Sequence, residues 1–404
     1  MMLVNSLERD SDFSQALAWR HDFHAHPELA YKEHRTAQRI AQVLTSFGLD
    51  VTTGIGGTGV VAALNGSLGK GPSIGLRAEM DALPIMENSG RPYASKNPGC
   101  MHACGHDGHA AMLLETARRL KANADFAGTV TFIFQPAEEV PGGARSMLED
   151  GILEQFPCDS LWSIHNFPGV PFGTIATRPG AFTAAADTFD ILIEGAGGHA
   201  GLPHLTIDPI VAGTDFISGL YKHVARRTDS TQSALCSVTR FEAGSGFNIV
   251  PVTARLQGTV RALHEPSRQL IEDIITRQAA AIEMASGVKI TVEYIKRAPI
   301  TFNDAKAAEI SIACGRAVVG DDHVIPNMPA TLGAEDFSFF LNERPGCWTM
   351  IGQGVGDAPA KLHTPEYDFN DDIIPIGVRY WLTLIDHLLG SRDLNDLSIS
   401  TSWT

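Results

Sequence analysis

Apolar residues recur at three- and four-residue spacing in two stretches near the start of the chain. Residues 12 to 26 carry the first, which closes at His26-Pro27 because the residue before a proline avoids the helical region. The second sets Ala37, Ile40, Ala41, Leu44 and Phe47 on one helical face. The pattern then shifts to short, nearly continuous apolar runs at 59–64 and 73–76, which read as strands buried on both faces. A helix over 108–121, a strand over 129–134 (TVTFIF), another helix and a short strand at 161–164 continue the alternation. Between 187 and 296 the order becomes strand, helix (207–226), strand (234–241), strand (254–263), helix (266–286), strand (288–295). That succession, β-α-β-β-α-β, is the split-βαβ, ferredoxin-like arrangement. Helices near 304–318 and 335–341, a strand at 348–351 and a helix over 372–389 resume the earlier alternation. The expected fold class is therefore α/β, a mixed-sheet α/β domain interrupted by a ferredoxin-like insert. The boundaries fall at 1–184 and 299–390 for the two parts of the host, 185–298 for the insert and 391–404 for a polar, aperiodic tail.

Size and composition fit this division. A chain of 404 residues exceeds one ordinary core, and 39 glycines and 22 prolines supply many turns. The formal net charge of −15, with 31 basic against 46 acidic residues, argues against a nucleic-acid partner. Six scattered cysteines are not a dense disulfide framework and read as reduced thiols. The start, MMLVNSLERDSDF, has neither a basic segment nor an apolar core of a leader, and no run approaches the roughly 18 apolar residues of a membrane span. A soluble cytoplasmic protein without membrane contact is the expectation.

Candidate chemistry begins in MHACGHDGHA (101–110), which packs Cys104, His102, His106, His109 and Asp107 into ten residues. A Cys-x-His pair alone is a weak signal, equally readable as a His-rich loop over a buried thiol. Three distant positions change its weight. Gln135-Pro136-Ala137-Glu138-Glu139 follows one strand, His165 follows another, and His363 sits in the turn-like KLHTPEYDFND. Open α/β sheets place functional residues beyond strand ends, and RAEMDALP (77–84) lies at such an end too. Cys104, His106, Glu139, His165 and His363 exceed what one tetrahedral zinc needs. They suit two divalent ions about 3.5–4 Å apart, with Cys104 as a bridge, and the ligand types favour Zn, Mn, Co or Ni over Mg or Ca. Of the adjacent carboxylates, Glu139 then binds metal and Glu138 is the general acid/base. His102 and His109 read as packing or supporting residues, and His24 and His26 as structural groups near a helix end.

The segments MHACGHDGHA, FQPAEE, IHNFP, GGHAGLPH, GFNIVP, GAEDFS and LHTPEYDFND, in this order, resemble the aminoacylase/hippurate hydrolase family of metal-dependent amidohydrolases. The group includes indole-acetyl-amino-acid hydrolases and lies within a wider aminoacylase and carboxypeptidase clan. The resemblance covers residues 20 to 389. It implies the same five ligands and Glu138 as acid/base, and an N-acyl-amino acid substrate. It also implies an inserted lid that commonly makes a homodimer or higher homo-oligomer. It further implies that Asp81 lies beside a metal-binding histidine, that His199 hydrogen-bonds the tetrahedral oxyanion in its own or a partner's site, and that Asn248 contacts substrate.

Two departures stand out. Glu79 occupies a position where the family frequently carries aspartate, and Pro141 sits in the loop after Glu139. Neither removes a candidate ligand. Hydrolysis of N-acyl-amino acids is the leading expectation, with a dipeptidase or carboxypeptidase of the same clan as its rival. A non-catalytic metal- or ligand-binding protein is a further alternative, and a closed structural zinc site is disfavoured by the mixed ligand set.

Overall fold

Two helices, α1 (Ser14–Ala25) and α2 (His34–Ser46), lead into a sheet whose central strands are almost wholly buried. A computed structural model of the chain describes residues 12–140, 142–355 and 361–390. The polar tail and Pro141, both singled out from the sequence, lie outside the described residues. The chain divides into two compact units: Met1–Gly180 with Phe302–Pro329 and Asp336–Thr404, and Ala181–Thr301 with Ala330–Glu335.

In the first unit, β1 (Val51–Ile55), β2 (Gly59–Asn65) and β3 (Ser73–Glu79) precede α3 (His106–Ala122) and β4 (Thr129–Gln135). Helix α4 (Gly143–Glu149), β5 (Ser160–Pro168) and the two-residue β6 (Ile175–Ala176) follow.

The second unit contains β7 (Ala185–Glu194), α5 (Pro209–Arg227), β8 (Ala234–Ala243), β9 (Thr253–Ala262), α6 (Glu265–Ser286) and β10 (Lys289–Ala298). Its sheet runs β8-β9-β7-β10 with every neighbouring pair antiparallel. Asp187 on β7 is buried and accepts from Arg268 at 2.6 and 2.8 Å and from the Tyr294 hydroxyl at 2.7 Å.

The first unit then resumes with α7 (Ala305–Val319), β11 (Val324–Ile325), β12 (Gly346–Gly354) and α8 (Ile374–Leu389). Its eight-stranded sheet has the order β1-β2-β4-β3-β5-β12-β6-β11. Strands β4, β3, β5 and β12 are mutually parallel, so their carboxyl ends point the same way. β2 and β4 are buried along nearly their whole length, as strands covered on both faces must be. Each fully buried Val, Ile or Phe in them contributes about 1.5–3 kcal/mol to holding the layers together. Helix α3 is buried on almost every side, which explains its weak apolar periodicity; Gly108 lets the Phe369 ring approach to where a Cβ would stand 2.3 Å away. Among the described residues no helix is long and apolar enough to cross a membrane.

Three details differ from the sequence reading. β5 does not end before His165 but continues to Pro168, because β12 supplies parallel partners as far as Pro168 and sets His165 opposite Met350. His106 opens α3 instead of lying in the preceding loop. The helix expected over 335–341 is short and begins at Ser338.

Candidate functional site

The carboxyl ends of β3, β4 and β5 and the start of α3 converge in the first unit. β3 ends at Glu79, directly opposite Gln135 at the end of β4. The chain beyond β4 turns through Ala137, a non-glycine residue at φ 54°, and delivers Glu138 and Glu139. Gly105 separates Cys104 from His106 at φ 101°; a Cβ there would lie 2.2 Å from Asn166 Oδ1 and 2.7 Å from the Tyr367 hydroxyl. Only glycine fits both demands, so the tight Cys-Gly-His turn is a local requirement of the fold. His363, also at positive φ (63°), arrives from the segment before α8. Two non-glycine residues in the left-handed region near one another mark a constrained backbone.

Donor atoms of Cys104, His106 and Glu139 lie within 4.8 Å of one another. Cys104 Sγ stands 3.5 Å from His165 Nε2, His363 Nε2 3.4 Å from Glu139 Oε1, and His106 Nε2 4.0 Å from Glu138 Oε2. The structure thus brings all five expected ligands and Glu138 together. Asp81 joins them: its Oδ2 accepts the Glu139 N–H at 2.9 Å, and its carbonyl and Oδ1 face His106 Nδ1 at 2.9 and 3.2 Å.

The hydrogen bonds also fix the tautomers. His106 Nδ1 donates to Asp81, and His165 Nδ1 donates to the Asn166 carbonyl at 2.7 Å. Each histidine therefore turns its Nε2 into the cluster, the nitrogen whose lone pair a bound cation would take in place of a proton, as in ligating imidazoles with a supporting acceptor. His106 Nε2 is buried and makes no hydrogen bond, and Glu139 Oε1, buried too, has only the His363 imidazole 3.4 Å away. Such orphaned atoms are costly unless something binds them. Burial works against charge on His106, yet Asp81, Glu79 and Glu139 outweigh it and raise its pKa to about 10. Burial, then Glu139, Glu138 and Glu79, push the Cys104 thiol well above its ordinary range. A buried group this rich in carboxylates calls for positive charge, and the thiolate, imidazole and carboxylate donors fit divalent cations.

A surrounding layer extends from His109, which the sequence marked as a packing or supporting residue, to partners that the spacing did not reveal. His109 Nδ1 donates to Glu79 Oε2 at 2.8 Å, while its Nε2 faces Asn166. Burial disfavours the charge on Glu79, but Arg77 and His109 hold it well below the usual carboxylate range. Arg77 is wholly buried, bonded to Glu79, to Gln135 at 2.8 Å and to Asp336 at 2.9 Å. Asn166 continues the network to the Tyr367 hydroxyl at 2.7 Å and Gln353 at 2.6 Å. The signal was present in RAEMDALP, IHNFP and GAEDFS, but nothing in the spacing links Arg77 to a residue as distant as Asp336. His24 lies outside the ligand cluster, between Asp107 (2.8 Å) and Glu87 (3.1 Å), and His102 is buried with no hydrogen-bond partner.

His199 and Asn248 belong to the second unit. Gly198–His199 pairs antiparallel with Ile249–Val250, and Ala200 N donates to the Asn248 carbonyl at 3.0 Å. His199 Nδ1 accepts from Gly201 N at 3.0 Å, which leaves Nε2 as the outward nitrogen of an exposed ring.

Residues 75–387 match the profile of the peptidase family M20/M25/M40. The N-acetylcysteine deacetylase of Bacillus subtilis (strain 168) is 36% identical over 371 residues, covering 90% of this chain and 94% of the relative. The hippurate hydrolase of Campylobacter jejuni is 37% identical over 368 residues, again 90% of this chain and 94% of the relative. Among solved structures, the YXEP protein of Bacillus subtilis, described as a dinuclear metal binding peptidase, superposes with a TM-score of 0.80 at 32% identity, covering 92% of this chain and 97% of that one.

Proposed function

The chain belongs to peptidase family M20/M25/M40, and from that premise we propose that it hydrolyses N-acyl-amino acids to a carboxylic acid and a free amino acid. The observation that carries this reading is the convergence of Cys104, His106, Glu139, His165 and His363 with Glu138 beside them. The five, Cys104 among them, would hold two divalent cations, Zn, Mn, Co or Ni. Such ions polarise a carbonyl and make water more acidic at neutral pH.

The remaining chemistry falls to the chain. Glu138 accepts a proton from the attacking water as its oxygen bonds to the acyl carbon. It returns that proton to the amide nitrogen as the C–N bond breaks, so the amine leaves neutral. Asp81 keeps His106 and Glu139 in register by bonding to both. His199, through its outward Nε2, donates to the oxyanion, in this chain's site or a partner's, a contribution of about 2.7–4 kcal/mol for a donor aimed at developing charge. Asn248, beside it on the second unit, contacts the substrate. The insert, residues 185–298, acts as lid and dimerisation element.

The test is a substrate panel of hippurate, acetyl-methionine and dipeptides, run on metal-reconstituted protein with chelator as control. Turnover of acyl-amino acids that chelator abolishes, and that Glu138→Gln abolishes without loss of metal, supports the proposal. Preference for dipeptides would assign the protein to the peptidase side of the clan instead. Turnover that survives chelator would remove the metal mechanism.

A further inference from the structure

Glu33 stands at the N-terminal boundary of α2, yet its side chain makes no capping hydrogen bond to that helix. It is a fully buried carboxylate, and burial pushes its pKa up, so the fold keeps it against its own solvation. Both oxygens are spent elsewhere. Oε2 accepts from the Thr58 hydroxyl at 2.6 Å, and Oε1 accepts the main-chain N–H of Ala137 at 2.9 Å.

Ala137 is the residue at φ 54° directly before Glu138. A side-chain-bearing residue stays in that region only where its surroundings over-determine it. Glu33 supplies one such restraint from below. A second comes from Gly143, whose N–H donates to the Ala137 carbonyl at 3.2 Å. The neighbouring backbone donors are held in the same way: Asp81 takes the N–H of Glu139 at 2.9 Å and Asp336 that of Ala144 at 3.0 Å. Three buried carboxylates from three separate segments therefore suspend the loop that carries Glu138 and Glu139.

We infer that Glu33 is a positioning residue for the acid/base: by anchoring the left-handed Ala137 it sets the direction in which Glu138 projects. The inference rests on the proposed role of Glu138. Its consequence is separable, because Glu33 touches neither the ligand set nor Glu138 itself in any contact described above. Loss of the anchor lets Ala137 relax toward an ordinary conformation and swings Glu138 away from the water it serves. A displacement of about 1 Å at such a group lowers turnover by as much as about 100-fold.

Four variants test this: Glu33→Ala, Glu33→Gln, Thr58→Val and Glu138→Gln, assayed on the fastest substrate of the panel, with metal content and crystal structures of each. In Glu33→Ala we expect kcat to fall roughly 10- to 100-fold, KM and metal content to stay near wild type, and Ala137 to leave the left-handed region. Glu33→Gln restores most of kcat, because its amide oxygen still accepts from Ala137 while the Thr58 hydroxyl turns to accept from its NH2. Thr58→Val strips only the other oxygen, so it loses stability but keeps kcat. Should Glu33→Ala not fold, Glu33→Asp withdraws the carboxylate by one methylene and is expected to show the same fall. Wild-type kcat with Ala137 unmoved in Glu33→Ala, or a kcat loss in Thr58→Val that matches its loss of stability, overturns the inference. Wild-type turnover in Glu138→Gln strikes instead at the acid/base reading on which it rests.

Discussion

The Sγ of Cys104 lies 3.5 Å from Nε2 of His165, although 61 residues separate the two in the chain. The thiol stands on a glycine turn before α3 and the imidazole inside a central strand, so the sheet itself sets their distance. Burial and the nearby carboxylates disfavour a free thiolate at this position, and bound cations reverse that preference. Cys104→Ala is therefore expected to lower metal content from about two equivalents to one or fewer. Elemental analysis of the purified variant checks this, and retention of both ions would remove Cys104 from the proposed ligands.

Asp81 serves two masters with one carboxylate, the ring of His106 and the N–H of Glu139. An asparagine has one accepting oxygen, and its NH2 would point a donor at one of these two N–H groups. Asp81→Asn is predicted to weaken metal affinity by about 10- to 100-fold. Competition against a chromogenic chelator measures it; an affinity within a factor of two of wild type would contradict the argument.

Gly105 and Gly90 share a positive φ, 101° and 68°, but only Gly105 is hemmed in by neighbours. Alanine at Gly90 meets nothing within 4 Å, so Gly90→Ala isolates the backbone cost, about 1–2 kcal/mol. Gly105→Ala adds a clash with Asn166 and Tyr367 to that cost. Urea unfolding should show the larger loss for Gly105→Ala, together with loss of metal binding that Gly90→Ala does not share.

How much of this was legible from the sequence depends on the kind of interaction. Cys104, His106, Glu139, His165 and His363 could be picked out as candidates because ligand chemistry restricts residue type and because they fall in or beside turns and strand ends. The elements of the insert were legible too, since strands such as β7 and β9 alternate between buried and more exposed positions. Three things were not. The far end of β5 is set by pairing with β12, a long-range event that the polar-looking Asn166 and Pro168 conceal. Arg77 and Glu79 were legible only as part of a segment at a strand end; that both are fully buried and mutually paired was not. Glu33 carries no signal of its own in the sequence, and its partner Ala137 lies 104 residues away.

His24 offers a prediction on pH. Burial opposes its charge, but Asp107 and Glu87 overcome that and raise its pKa from 6.5 to about 9. A raised histidine pKa means that the folded state holds the proton more tightly than the unfolded chain. Its contribution to stability is complete below about pH 6.5 and disappears as pH rises through about 9. Urea midpoints of the wild type should fall between pH 7 and 10, and those of His24→Gln should fall less over the same range. Equal pH dependence in the two proteins would show that His24 is not charged in the native state.

The sheet of the first unit joins β5 to β12 although the whole of the second unit is encoded between them. During synthesis the insert's last strand therefore emerges before β12 exists, and β5 leaves the ribosome with one edge unpaired. The insert has its own apolar core, so it can fold while its host is still an open sheet. The donor cluster has a similar timetable, since His363 arrives after β12. A nascent chain passes through a state with an exposed strand edge and an incomplete donor cluster, the interval in which aggregation and chaperone capture compete with folding.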